Sequence, residues 1–100
     1  MKILAYDYKI RAMKGVLTEL TNMGTMNSNN LIISIGIEMD RQHQESTMIH
    51  ELIEAINWQL QLKLEEHQII GLEIGLYNTF KNAGINLNPI MKELEEDKKK

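Results

Sequence analysis

The chain has 100 residues, of which 43% are hydrophobic and none is cysteine, and its formal net charge is −3. This length supports one domain with one hydrophobic core, which we expect to span residues 1–97. The absence of cysteine excludes a disulfide framework, a thiolate metal site and a cysteine nucleophile. The composition lacks the basic footprint of a nucleic-acid-binding protein, and no apolar run is long enough to span a membrane. A charge appears too early in the sequence for a signal peptide, so we expect a cytoplasmic protein.

The first third of the chain predicts a small antiparallel sheet of three or four strands. Residues 2–13 alternate imperfectly between apolar and polar side chains, which predicts two short strands folded as a hairpin. Residues 15–22 lack a good helix cap and predict either a short helical turn or a loop. Within residues 23–35, a polar run at 27–30 (NSNN) separates two strand-like stretches, as in a second hairpin. This sheet either only supports the helices or also offers its outer strand as a template for an extended peptide.

Two antiparallel helices are predicted next. Asp40 can cap the first helix, which continues to about Leu60 and carries apolar side chains at intervals of three and four residues. The short connection that follows requires the second helix, which begins near Glu65, to return antiparallel and pack on the first. The second helix has one clear apolar row, formed by Ile69, Leu72, Leu76 and Phe80.

The last part of the chain predicts a short third helix. Pro89 suits the first turn of a helix that runs from Ile90 to about Asp97. The basic residues 98–100 are expected to form a frayed tail. The predicted fold is therefore of the α+β class, with a small antiparallel sheet, two antiparallel helices and a short C-terminal helix.

The first predicted helix carries the motif H-E-x-x-E, which begins at His50. Residues four apart on a helix lie one above the other, so His50 and Glu54 can reach a common point while Glu51 lies beside it. Zinc hydrolases use two ligands with this spacing, and the glutamate after the first ligand deprotonates a metal-bound water. The motif predicts His50 and Glu54 as ligands and Glu51 as the general base. The alternative is a hydrogen-bonded core histidine beside a solvated acidic edge.

The third ligand must come from the second helix. His67 can close a site on His50 and Glu54, because antiparallel helices bring the start of the second opposite the end of the first. Glu73 is the rival, but it lies about 120° from His67 around the helix, so both cannot point at one ion. We prefer His67, since it supplies a second imidazole nitrogen.

Two further residues are candidates for stabilising an oxyanion. Tyr77 lies on the helix that carries the third ligand, and His43 lies two turns before His50. Each also has a simpler interpretation. Tyr77 fits a core aromatic at helical spacing, and His43 fits a solvated residue of the first turn.

At these positions the sequence resembles small phage and prophage proteins with an ImmA/IrrE-like, minimal gluzincin-type zinc metallopeptidase domain. The resemblance rests on residues 24–27 (GTMN), 47–56 (TMIHELIEAI) and 62–69 (LKLEEHQI), the last leading to 75–77 (GLY). It covers most of residues 1–83. Family members mostly show H-E-x-x-H followed by an acidic residue on the next helix, whereas this chain shows H-E-x-x-E followed by His67.

The resemblance implies His50, Glu54 and His67 as zinc ligands and Glu51 as the base. The leading functional hypothesis is therefore a zinc-dependent peptidase that acts on a protein or peptide in the bacterial cytosol. The alternative is a catalytically inactive binding or regulatory protein that keeps the scaffold and occupies a host or phage protein. A third hypothesis is a structural zinc ion that joins two helices of a small domain.

Overall fold

In the computed structural model, which describes residues 1–14 and 23–100, strands precede helices as the sequence predicts. The described strands are β1 (Lys2–Ile3), β2 (Tyr6–Asp7), β3 (Lys9–Met13), β4 (Gly24–Asn27) and β5 (Ile32–Gly36). The described helices are α1 (Arg41–Leu60), α2 (Glu66–Asn82) and α3 (Asn88–Lys98). The predicted α+β class is confirmed. The prediction for residues 15–22 lies outside the described residues.

The described strands form two sheets. β1 and β2 make an antiparallel hairpin, which ends at Asp7 instead of continuing to residue 13. β3 belongs to the second sheet, in which the central strand β5 pairs parallel with β3 and antiparallel with β4. The sequence pattern did not predict the parallel pair. It is possible because the connection between β3 and β5 is long enough to cross over, and β4 forms part of that connection.

The predicted hairpin of β4 and β5 is confirmed. In its turn, Asn27 Oδ1 accepts hydrogen bonds from the backbone amides of Asn29 and Asn30, at 2.9 and 3.3 Å. An asparagine favours such a turn because its side chain can take the place of a backbone acceptor. The hairpin leaves β4 at one edge of the described sheet.

The core is built around β5. Ile33 and Ile35 are fully buried and Ser34 is nearly so. Since successive side chains of a strand point to opposite faces, both faces of β5 are covered. The fully buried helical side chains of this core come from α1 and α3: Met48, Ala55, Met91 and Leu94.

The helix α1 begins and ends where the sequence predicts. Asp40 Oδ1 accepts a hydrogen bond from the backbone amide of His43 at 2.9 Å, which caps the first turn. After Leu60, Gln61 adopts the left-handed conformation with φ of 51° and ends the helix. A second, smaller apolar cluster joins α1 to α2 and has Ile49, Ile53 and Ile69 at its centre.

Helix α2 touches α1 along a narrow strip. Ile69 is its one buried residue, whereas Leu72 and Leu76 of the predicted apolar row remain exposed. Glu65 and Gln68 form a capping box at its start. Most of α2 therefore lies on the surface, and the side facing α1 is defined by Ile69.

Helix α3 packs beside β3. Asp97 Oδ2 accepts a hydrogen bond from the backbone amide of Ala12 at 2.7 Å and so covers part of the β3 edge. The helix includes Lys98, whose Nζ donates to Gln44 Oε1 at 2.7 Å. Within the described part of the chain, no helix has both the length and the apolar character needed to cross a membrane.

Candidate metal centre

Three donor atoms from α1 and α2 come together beside the second apolar cluster. His50 and Glu54 lie one turn apart on α1, with Nε2 and Oε1 3.6 Å from each other. Glu66, in the first turn of α2, places its Oε1 3.2 Å from the same Nε2. All three donor atoms lie within 4.8 Å of one another. Ligands about 2 Å from a tetrahedral zinc ion are separated from each other by about 3.3 Å, so this donor set fits such an ion.

The other ring nitrogen of His50 is held by a second carboxylate. His50 Nδ1 lies 2.7 Å from Glu73 Oε1, and Ser46 Oγ donates to Glu73 Oε2 at 2.5 Å. A carboxylate beside Nδ1 favours the tautomer that is protonated there, which leaves the lone pair on Nε2 free. Glu73, the predicted rival for the third ligand, therefore orients His50 and does not belong to the group of three donors.

Glu51 lies next to this group, and its carboxylate has no basic or hydrogen-bonding partner in the part of the chain that the structure describes. The residue is only 5% exposed and makes no hydrogen bond or ion pair with another described residue. Burial raises the pKa of Glu51 to about 7, and His50 opposes the shift, while Glu54, Glu66 and Glu73 add to it. A free carboxylate with a pKa near neutrality suits a general base.

The acidic side chains also repel one another. Burial raises the pKa of Glu54, and the adjacent Glu66 raises it further through its charge and a hydrogen bond. For His50, burial lowers the pKa, but the hydrogen bond to Glu73 and the surrounding carboxylates outweigh burial, so the pKa is raised overall. A cation between these groups would relieve the repulsion, which supports the fit of the donor set.

The structure does not bring His67 to this group. The His67 side chain is 75% exposed, and its Nδ1 lies 3.4 Å from Glu65 Oε2. Glu66 takes the position expected of His67, because successive residues of a helix point about 100° apart. The sequence contained a signal for this choice: Glu66 and Glu73 lie three residues before and four residues after Ile69, so they share its α1-facing side.

Neither oxyanion candidate reaches the donor group. Tyr77 donates its hydroxyl to Glu45 Oε1 at 3.0 Å, and burial together with this hydrogen bond raises the pKa of Tyr77 to about 12. His43 is exposed, and its Nδ1 lies 2.8 Å from Asp40 Oδ1 at the start of α1. Tyr77 is therefore engaged with α1 and His43 with the start of its own helix, and neither belongs to the lining of the cavity described next.

Two of the three donor residues, His50 and Glu66, line an open cavity of about 300 Å³. The polar wall contains His50, Glu51 and Glu66. The lining also has an apolar part, which consists of Met23, Ile70 and Ile74. The cavity therefore combines candidate cation ligands with exposed apolar side chains.

No protein-family model, no curated protein and no solved structure matches the chain. Its class is therefore defined by the fold and the site together. It is a small α+β protein with an acidic, histidine-containing cavity between its first two helices.

Proposed function

We propose that the chain is a zinc-dependent peptidase in which His50, Glu54 and Glu66 hold the ion and Glu51 is the general base. The observation that carries the proposal is the arrangement of three donor atoms within 4.8 Å of one another beside the buried carboxylate of Glu51, which has no hydrogen-bond partner among the described residues. Three protein ligands leave a position for water, as in catalytic zinc sites. An accidental acidic edge would give no reason for Glu51 to be buried beside it.

Zinc at this position would lower the pKa of a water ligand and polarise a peptide carbonyl. Glu51 accepts the proton of the attacking water and returns it to the leaving amine. Glu73 and Ser46 hold the ring of His50 so that Nε2 points to Glu54 and Glu66. The hydrophobic contacts around Ile69 hold α2 against α1 and thus keep Glu66 in reach.

The proposal extends the resemblance to ImmA/IrrE-like proteins of phages and prophages. In that family an acidic residue on the next helix follows H-E-x-x-H, and Glu66 supplies such a residue here. The chain then departs from the family pattern at one ligand, Glu54. A protein or peptide in the bacterial cytosol is the substrate that the resemblance suggests.

Zinc binding by adjacent variants tests the ligand set. Glu66→Gln and His67→Gln change neighbouring residues in the same turn of α2, and circular dichroism checks that both fold. Isothermal titration should show one zinc ion per chain in the wild type and in His67→Gln. Glu66→Gln should bind at least about tenfold more weakly, because loss of even an outer partner of a metal site costs that much. Equal affinity in all three proteins would contradict the assignment.

Hydrolysis is tested with Glu51→Gln, which keeps the shape of the side chain and removes its basicity. We expect the zinc-loaded wild type to cleave unfolded protein substrates, with the products identified by mass spectrometry. The variant should bind zinc and cleave nothing. If Glu51→Gln keeps the full biological effect of the wild type, the peptidase proposal fails and the binding or regulatory alternative takes its place.

A further inference from the structure

The lining of the cavity includes apolar side chains that remain exposed in the described structure. Ile70 and Ile74 lie one turn apart on α2 and are 43% and 54% exposed. They face the cavity together with Met23, which is also exposed. The contact between α2 and α1 is made by the cluster around Ile69, and Ile70 and Ile74 are not part of that cluster. An apolar group bound between them and the donor group would remove this apolar surface from water.

Strand β4 runs beside the same cavity. Gly24, its first residue, lines the cavity, and a Cβ at this position would lie 3.1 Å from Glu51 Oε2. β4 pairs with β5 on one side, and within the described residues no strand pairs with its other side. A peptide added along that edge would therefore pass beside Glu51, and alternate side chains of the peptide would point toward the helices.

The charge around the cavity limits which peptides fit. Among the described residues, three carboxylates line it, from Glu51, Glu66 and Glu73, and Glu54 adjoins them. A divalent cation balances only two negative charges, and the single imidazole adds at most one positive charge. An acidic residue beside the bound side chain would meet repulsion, whereas a neutral or basic residue would not.

We propose that the cavity binds one apolar side chain of an extended peptide whose neighbouring residues are neutral or basic, and that Ile70 and Ile74 set this preference. The inference rests on the proposed peptidase function, because it places the apolar side chain next to the bond that Glu51 helps to break. It also predicts a binding preference that exists without turnover.

The experiment uses short fluorescent peptides that differ at one position, which is leucine or aspartate, with lysine or glutamate on either side. Ile70→Thr is compared with Leu72→Thr, a matched control on the same helix, since Leu72 is 44% exposed but lies outside the cavity lining. With the zinc-loaded wild type, kcat/KM should be at least about tenfold higher for leucine than for aspartate, as expected for an apolar pocket. Ile70→Thr should lose most of this preference, mainly through KM, and Leu72→Thr should keep it.

Fluorescence anisotropy with Glu51→Gln separates the two proposals, because it measures peptide binding without hydrolysis. In one outcome, neither the wild type nor any variant cleaves a peptide, but Glu51→Gln binds the leucine peptides with lysine neighbours most tightly. If the double variant Glu51→Gln with Ile70→Thr then loses that preference, the cavity inference stands and the peptidase proposal falls. If cleavage occurs but leucine and aspartate are treated alike, or if Ile70→Thr and Leu72→Thr behave identically, the cavity inference is overturned while the peptidase proposal survives.

Discussion

Gly24 is the position where adding one methyl group tests the packing beside the candidate site. An alanine Cβ there would lie 2.6 Å from Thr47 Cγ2, 3.1 Å from Glu51 Oε2 and 3.2 Å from the carbonyl oxygen of Ser34. Thr47 is buried and β-branched, so its side chain has little freedom to move away. Overpacking of this kind costs about 1–3 kcal/mol, and we expect Gly24→Ala to lower the free energy of unfolding by about 2 kcal/mol.

Urea unfolding followed by tryptophan fluorescence measures this loss. Trp58 is the sole tryptophan of the chain and packs against Tyr6, with ring centroids 5.9 Å apart, so its emission reports on the folded state. In a domain of this size, a loss of about 2 kcal/mol also lowers the melting temperature by roughly 8–16 °C. Both quantities should change in the same variant.

Two controls accompany this prediction. Gly71 and Gly75 lie on α2, and a Cβ at either position would meet no described atom within 4 Å. Alanine at these positions should therefore stabilise the protein by about 0.5–1 kcal/mol through helix propensity. Thr47→Ser removes the methyl group that collides with the Cβ added at position 24, so it should recover part of the loss when combined with Gly24→Ala. The reasoning is refuted if Gly24→Ala is as stable as the wild type, or if Thr47→Ser recovers nothing.

Three further predictions concern the side chains around the candidate centre. Glu73→Gln should weaken zinc binding by about tenfold, measured by competition with a chromophoric chelator, because outer partners orient metal-binding histidines; unchanged affinity would exclude that role. Tyr77→Phe should cost about 1 kcal/mol in urea unfolding, since it loses the hydrogen bond to Glu45, and should leave peptide cleavage unchanged; a large loss of cleavage would restore Tyr77 as an oxyanion candidate. The third prediction concerns the metal-free protein, prepared with a chelator. Burial raises the pKa of Glu51 from 4.5 to about 7. The contribution of protonated Glu51 to the free energy of unfolding is therefore complete below pH 4.5 and is lost as the pH rises through 7. This pKa shift corresponds to about 3 kcal/mol. Glu51→Gln has no carboxyl group at this position, so its free energy of unfolding should fall less with rising pH than that of the wild type. An equal pH dependence in the two proteins would contradict the prediction.

The helical half of the fold could be predicted because its signals are local. Asp40 caps α1 through the amide three residues later, and the intervals between apolar residues set the length of the helix. The polar turn before β5 is local in the same sense, since Asn27 bonds to amides two and three residues away. Such contacts depend only on residues that are close in sequence, so the pattern of residue types is sufficient to predict them.

The pairing of strands could not be predicted in the same way. Nothing in residues 9–13 distinguishes a strand that continues a hairpin from one that pairs with β5, because both need alternating side chains. The choice depends on long-range contacts. Among these is the bond from Ala12 to Asp97, which joins residues 85 positions apart in the sequence.

The sequence by itself determined that His50 and Glu54 share one face of a helix with Glu51 beside them, because i and i+4 neighbours are set by the geometry of a single helix. Only the tertiary structure decided that Glu66 completes the group and that His67 faces solvent. These two residues differ by one step of about 100° around α2. The orientation of α2 is set by how Ile69 packs on α1, and that packing depends on the shape of two helices together, which neither helix specifies alone.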